Sequence, residues 1–345
     1  MTSEPGLGRN DEVIRVADAY IDARKYESAR EILSRSLSQS PNDPALLASY
    51  ARAELAVGNY SGAARSAYAA LAGAPDSEFA MRLYALALFN LGRQYDGLWM
   101  AWRAVTSHPN EPAPLRLYAL LLQKAWQLRS ALDVIERALR LDPQSVDAHI
   151  RRGSILHAMG RRDESEVSYR AALQLDPANA EALNDLAVHR LGRFKFGRAL
   201  QGFLGAAGSD PGYGALSRRN IGVVLRKVLT LVTVGAGLLS VCLAITAGAY
   251  DEGHPNALAR VGVGLLSGVL IAVLWWLLRA IPRRVFVAVL REQHFFALRL
   301  AHAGMAVIAG AWVTFCPWPA GWIAVGGLLA VSALVIIRIG LFIGK

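Results

Sequence analysis

The chain has 345 residues, with 37 Lys/Arg against 27 Asp/Glu and a formal net charge of +10. That length allows two domains and a large buried core. Residues 1–216 carry 25 basic and 24 acidic side chains, whereas residues 217–345 carry 12 and 3. The near-neutral half shows no basic face interleaved with aromatics, which argues against a nucleic-acid partner. The basic residues of the second half flank apolar stretches, where they set membrane orientation. Both cysteines, Cys242 and Cys316, lie in those apolar stretches. This excludes a disulfide framework and reads as two small core-like residues. Arg far exceeds Lys and Ala is abundant, as in proteins of GC-rich bacteria.

The N-terminal tail, residues 1–9, is polar, and Met1–Asp11 has no apolar run of the secretory-signal kind. The first half is therefore expected to stay in the cytosol. Pro41, Pro75, Pro109, Pro143, Pro177 and Pro211 follow at an unvarying spacing of 34 residues. A fixed period of that size marks a stacked repeat array. With the proline at position 32, the units are 10–43, 44–77, 78–111, 112–145, 146–179 and 180–213.

Columns of small residues then line up. Position 8 is Ala17, Ala51, Ala85, Ala119, Gly153 and Ala187. Position 20 is Ala29, Ala63, Gly97, Ala131, Ser165 and Ala199. Small side chains at fixed points let two helices approach closely. Tyr50, Tyr84 and Tyr118 at position 7, and Leu33, Ile135, Tyr169 and Phe203 at position 24, fill the space between. Each unit reads as helix A, a turn and helix B. Gly58, Gly92 and Gly160 fall at the turn, position 15, where a left-handed residue is wanted. The prolines end helix B or open the next helix.

These columns resemble the tetratricopeptide repeat family over Asn10–Pro211. There are departures: Glu54 and Arg190 stand at position 11, where an apolar or aromatic residue is usual, and Arg24 replaces the first turn glycine. The resemblance implies an all-α, right-handed solenoid whose concave face, lined mainly by helices A, binds a peptide or protein. Carried over to this sequence, the inward positions are Phe79, Arg82, Leu86, Phe89, Asn90, Arg116, Leu120, Gln123 and Lys124, flanked by Arg52 and Ser154. That mixture suits a segment with apolar anchors and carboxylates. Ordinary surface residues, with Phe79 and Phe89 packing between units, are the competing reading. No unit has the Lys and Asn pair at positions 5 and 9 that clamps a chaperone C-terminus.

After Pro211, residues 212–227 read as a cap helix covering the end of the array with Leu216, Ile221, Val224 and Leu225, continuous with the first span. A flexible linker at Gly212–Gly214 is the alternative. Four apolar spans follow, at about 228–249, 261–278, 300–316 and 320–337. Tyr250–Pro255 forms a polar break, and Pro317-Trp318-Pro319 a tight turn; a re-entrant hairpin for the last two spans stays open. The flanking arginines place the repeats, the middle loop and the C-terminus in the cytosol. Arg284, Arg291, Glu292 and Arg299 share one helical stripe. Residues 283–299 therefore read as an amphipathic interfacial helix, or as extensions of the flanking spans. Gly264 with Gly268 and Ala306 with Gly310 permit close helix crossing, within the chain or between copies.

No span has a charged residue at its centre, which argues against a transporter or pump. His149 and His157 lack a third metal ligand, and Asp251, Glu252 and His254 read as a solvated turn. Neither a phosphate loop nor a nucleophile elbow is present. No catalytic, metal or cofactor site is expected. The reading is a membrane-anchored interaction scaffold at a bacterial inner membrane, whose partners are a protein or peptide and the lipid bilayer, with homo-oligomers or a larger complex possible. The alternatives are a subunit of a secretion or envelope-assembly machine, and a membrane enzyme or transporter with regulatory repeats.

Overall fold

The computed structural model describes residues 7–251, 257–292, 294–315 and 322–343. It is helical, with no strand among those residues. The Pro317-Trp318-Pro319 turn, Cys316, Glu252 and His254 lie outside them. The chain divides into two compact units, one ending at Pro177 and the other beginning at Ala178.

The first unit is five antiparallel helical pairs: α1 and α2 (Leu7–Asp22, Tyr26–Leu37), α3 and α4 (Pro44–Ala56, Tyr60–Gly73), α5 and α6 (Glu78–Asn90, Gln94–Ser107), α7 and α8 (Pro112–Lys124, Leu128–Leu141), α9 and α10 (Val146–Ala158, Arg162–Leu175). Each proline of the ladder stands just past helix B: the C-caps are Ala74, His108, Asp142 and Asp176, and the proline follows. Proline there cannot continue the helix and disfavours a helical residue before it. The next helix A then opens on Asp43, Ser77 or Ser145, whose side chains accept backbone N–H bonds from its first turn.

The small-residue columns sit where the two helices of a pair meet. Ala17, Ala51, Ala85 and Ala119 are fully buried, as are Ala29, Ala63 and Ala131. Where one column loses a methyl, its neighbour gains volume. A Cβ on Gly153 would fall 2.7 Å from the Tyr169 ring, and one on Gly97 would fall 2.8 Å from the Ala85 carbonyl.

Glu54 shows what the departure at position 11 does. Its carboxylate is buried, accepts from Arg30 Nε at 2.7 Å, and is also hydrogen-bonded by Asn59. Gly62 leaves the room, since any Cβ there would collide with the carboxylate. The paired carboxylate holds the Arg30 guanidinium well above its ordinary pKa.

The second unit contains another helical pair, α11 and α12 (Ala180–Gly192, Phe196–Ser209), and then α13 (Gly214–Asp251), α14 (Ala257–Ala280), α15 (Arg283–Glu292), α16 (His294–Phe315) and α17 (Trp322–Ile343). α13 is unbroken for 38 residues. Its first part packs on the pair α11/α12: Ile221, Val224, Leu225 and Val228 share a core with Leu191, Leu200 and Phe203. Asn220 Nδ2 also donates to Asn184 Oδ1 at 2.9 Å. Leu216, by contrast, is 42% exposed. Four of these helices are long and apolar enough to cross a membrane. Close contact between α13 and α17 uses Gly326, whose Cβ would lie 2.8 Å from the Ala244 backbone. α14 meets α16 at Gly264 and Gly310, so this small-residue contact is made within the chain; Gly268 has nothing within 4 Å.

Three expectations change. α15 is described to Glu292 and α16 from His294, with residue 293 outside the described residues; what changes is Arg299, expected on the polar stripe of residues 283–299. Arg299 is 3% exposed, one turn inside the bundle, where its Nη1 donates to Thr230 Oγ1 at 2.6 Å and its guanidinium lies 4.9 Å from the Phe295 ring. The last apolar helix passes through Arg338 to Ile343 rather than ending before it. Cys242 faces outward, because Ala236, Leu239, Leu243 and Ala247 define the buried stripe of α13.

Two outcomes follow for stability. Glu54→Ala removes the buried acceptor of Arg30, which keeps its exposed pair with Glu27, and should cost about 2 kcal/mol. The paired change Arg30→Leu with Glu54→Leu should cost less than half of that. Hydrogen exchange of α3 and α4 reads both, and an Ala variant as protected as the parent would refute the buried-pair account. Burial pushes the Tyr50 and Tyr118 phenols up, Tyr50 with help from the Glu54 carboxylate. A raised folded value makes their contribution complete below the unfolded phenol value of about 10 and lost as pH rises past the folded value. The double variant Tyr50→Phe with Tyr118→Phe should flatten that alkaline decline in denaturant titrations; an unchanged slope would exclude these two phenols.

Candidate functional site

The inner face of the first unit follows from which helices touch. α1 contacts α3, α3 contacts α5, α5 contacts α7 and α7 contacts α9, so the helices A form one continuous wall. Two recesses open on this wall, and their charge differs.

The first, about 580 Å³, lies over α1, α3 and the start of α5, and includes Asp11, Ile14, Asp18, Asp43, Ser77 and Phe79. Asp18 receives Arg52 Nη1 at 2.7 Å, and Asp22 receives Arg52 Nη2 at 3.2 Å. Asp43 caps α3 and takes Asn10 Nδ2 at 2.8 Å. Arg52 is thus spent within the array. Arg82 is held the same way: it makes a two-pronged pair with Glu78, one turn back on α5, and its guanidinium lies 5.4 Å from the Phe79 ring.

The other expected residues divide by burial. Phe89 is only 8% exposed and packs with Met81, Ala85 and Leu121. Leu86 is half-buried against the same cluster, and Asn90 Nδ2 donates to the Leu86 carbonyl at 3.0 Å. Arg116 makes a loose pair with Asp142 at 3.8 Å.

The second recess, about 310 Å³, brings together Leu120, Gln123 and Lys124 with Trp126, Leu128, Arg151 and Ala158. Gln123 Nε2 donates to Ser154 Oγ at 2.8 Å, which ties α7 to α9. Among the described residues Lys124 and Arg151 make no ion pair. This recess is therefore basic where the first is acidic.

Sequence reasoning named three of its residues but passed over Trp126 and Arg151. The signal lay in the turn column. In every pair, the N–H of position 15 bonds to the carbonyl of position 12, and that of position 16 to position 11, as in Gly92 to Phe89 and Arg93 to Leu88. This geometry forces a positive φ at position 15: 82°, 83° and 78° at Gly58, Gly92 and Gly160, but also 59° at Arg24, 58° at Trp126 and 57° at Phe194. A side chain in that conformation costs about 1 kcal/mol that glycine avoids. Phe194 stacks edge-on with Phe196, at 5.9 Å. Trp126, 76% exposed, makes no ring contact among the described residues.

Sequence profiles of the tetratricopeptide repeat match residues 16–79 and 146–179. Over those residues the helical pairs are tetratricopeptide repeats (TPRs). Among solved structures, the Cut9–Hcn1 hetero-tetramer of the APC/C has 15% identity and a TM-score of 0.51, covering 61% of this chain and 42% of that one. The chain thus spans less than half of that protein's length, and the likeness is one of fold. PilF of Pseudomonas aeruginosa has 17% identity and a TM-score of 0.47, over 61% of this chain and 95% of that one. YrrB, a TPR protein with an unusual peptide-binding site, has 18% identity and a TM-score of 0.37, over 52% and 92%. No curated protein matches the sequence. Among the described residues, no cluster of His, Cys, Asp or Glu could hold a metal. His149 instead bonds the Pro143 carbonyl at 2.9 Å.

Proposed function

We propose that the chain is a membrane-anchored adaptor: its TPR wall binds a protein or peptide segment, and its apolar helices fix that event at a bacterial inner membrane. The observation that carries this reading is the continuous wall of helices A, recessed at two places and joined in one sequence to four helices able to cross a bilayer. TPR arrays in general mediate protein–protein contacts, and this wall offers apolar floor, fixed guanidinium groups and unpaired cations rather than a nucleophile or metal cluster. Phe79, Arg82, Leu86, Arg116, Leu120, Gln123 and Lys124 are the contact residues, with Phe89 and Asn90 shaping the floor beneath them. The arginine distribution favours repeats and C-terminus on the cytosolic side.

The reading as a subunit of a larger membrane machine would call for a span surface shaped for other spans. An apolar recess of about 450 Å³ does lie between α16 and α17, beside Met305, Trp322 and Leu328. Acyl chains fill such a recess as well as a partner helix would, so it does not favour that reading.

Crosslinking in native membranes, followed by affinity purification of the full chain, should recover a defined partner joined to repeats three to five. The double reversal Arg82→Glu with Arg116→Glu should reduce its recovery at least tenfold, as expected when buried-rim guanidinium groups are inverted. Undiminished recovery would show that the partner uses another surface.

A further inference from the structure

Resting on the adaptor reading, we infer that the recess at the turn of the fourth repeat, with Trp126 as its lid and Lys124 and Arg151 as its rim, is the anchor pocket for an acidic peptide carrying an apolar side chain.

Three observations converge. Trp126 occupies a backbone conformation that three of the six repeats give to glycine, at φ +58°. Its indole is 76% exposed and rests on no other ring among the described residues, so the fold gains little from it. A large aromatic kept in a strained, exposed place has a use outside the fold. Such residues are also the commonest energetic anchors of interfaces.

The chemistry beneath the indole is specific. Leu120, Leu128 and Ala158 make an apolar wall sized for one side chain within about 310 Å³. The buried Gln123 Oε1 has no hydrogen-bond partner, while Nε2 is fixed on Ser154. Lys124 and Arg151 flank the opening without an ion pair, whereas Arg52, Arg82 and Arg116 on the same wall are each committed to a carboxylate of the array. Charge complementarity thus selects Asp or Glu beside the apolar anchor, and disfavours basic segments. A basic segment would suit the acidic recess over α1 and α3 instead.

The test uses the full chain in lipid nanodiscs, panned against a phage-displayed library of random dodecapeptides. Enriched sequences should carry Asp or Glu on both sides of an aromatic or aliphatic residue. Fluorescein-labelled copies should then bind with an anisotropy change that weakens about tenfold in Lys124→Glu with Arg151→Glu, and about tenfold in Trp126→Gly. Trp126→Gly should at the same time raise the Tm by about 2–4 °C, because it relieves the strained turn. A more stable protein that binds less well separates recognition from unfolding. Enrichment of basic or uncharged peptides, acidic peptides indifferent to these variants, or no enrichment would each overturn the inference. In all three cases a native partner still lost on reversal of Arg82 and Arg116 would leave the adaptor reading standing.

Discussion

Everything in the repeat array depends on how closely two helices can approach at positions 8 and 20. Ala is the usual solution, buried to zero exposure at Ala51 with Ala63 and at Ala119 with Ala131. The available volume is conserved within each pair rather than within each column. Gly153 yields to Tyr169, and Gly202 yields to Ala187, whose Cβ would stand only 2.8 Å from an added one. Close-packed interiors demand such local exchange, since even one methylene too many forces a shift. The same rule explains why a carboxylate can sit at position 11 of the second repeat. Glu54 needs space and a cation; Gly62 on α4 supplies the one and Arg30 on α2 the other.

That constraint also divides what was readable in the sequence from what was not. The period and the small columns are local and repeat six times in one sequence, and the turn glycine three times. Compensation between columns is not repeated: nothing in the column containing Glu54 announces Arg30, which comes from the preceding repeat. The same limit hid Arg299. Its place on a helical stripe with Arg284 and Arg291 made it read as solvent-facing, yet it lies on the face of α16 that meets Thr230. Periodicity along one helix does not tell which neighbour a face will meet. Trp126 was visible but went unweighed, because a tryptophan beside a lysine looks ordinary until the turn is known to demand a positive φ.

The wall of helices A carries its charges in two ways, and the difference bears on recognition. Arg82 and Arg52 are held by carboxylates from their own or a neighbouring repeat, which fixes the guanidinium planes but cancels much of their field. Such groups position a ligand by geometry. Lys124 and Arg151 make no such pair among the described residues, so their field is less cancelled than that of Arg82 and Arg52.

The last pair of the array belongs structurally with the apolar helices, and the length of α13 shows why. Its 38 residues extend about 57 Å, whereas a bilayer core is about 30 Å thick. The uncharged run begins at Val228, so the stretch from Gly214 to Lys227 is not part of it. In water that stretch would expose Ile221, Val224 and Leu225, and a helix of this length does not persist alone. Packing on Leu191, Leu200 and Phe203 buries these side chains on the open end of the sixth repeat. Each surface covers the apolar face that the other could not leave in solvent.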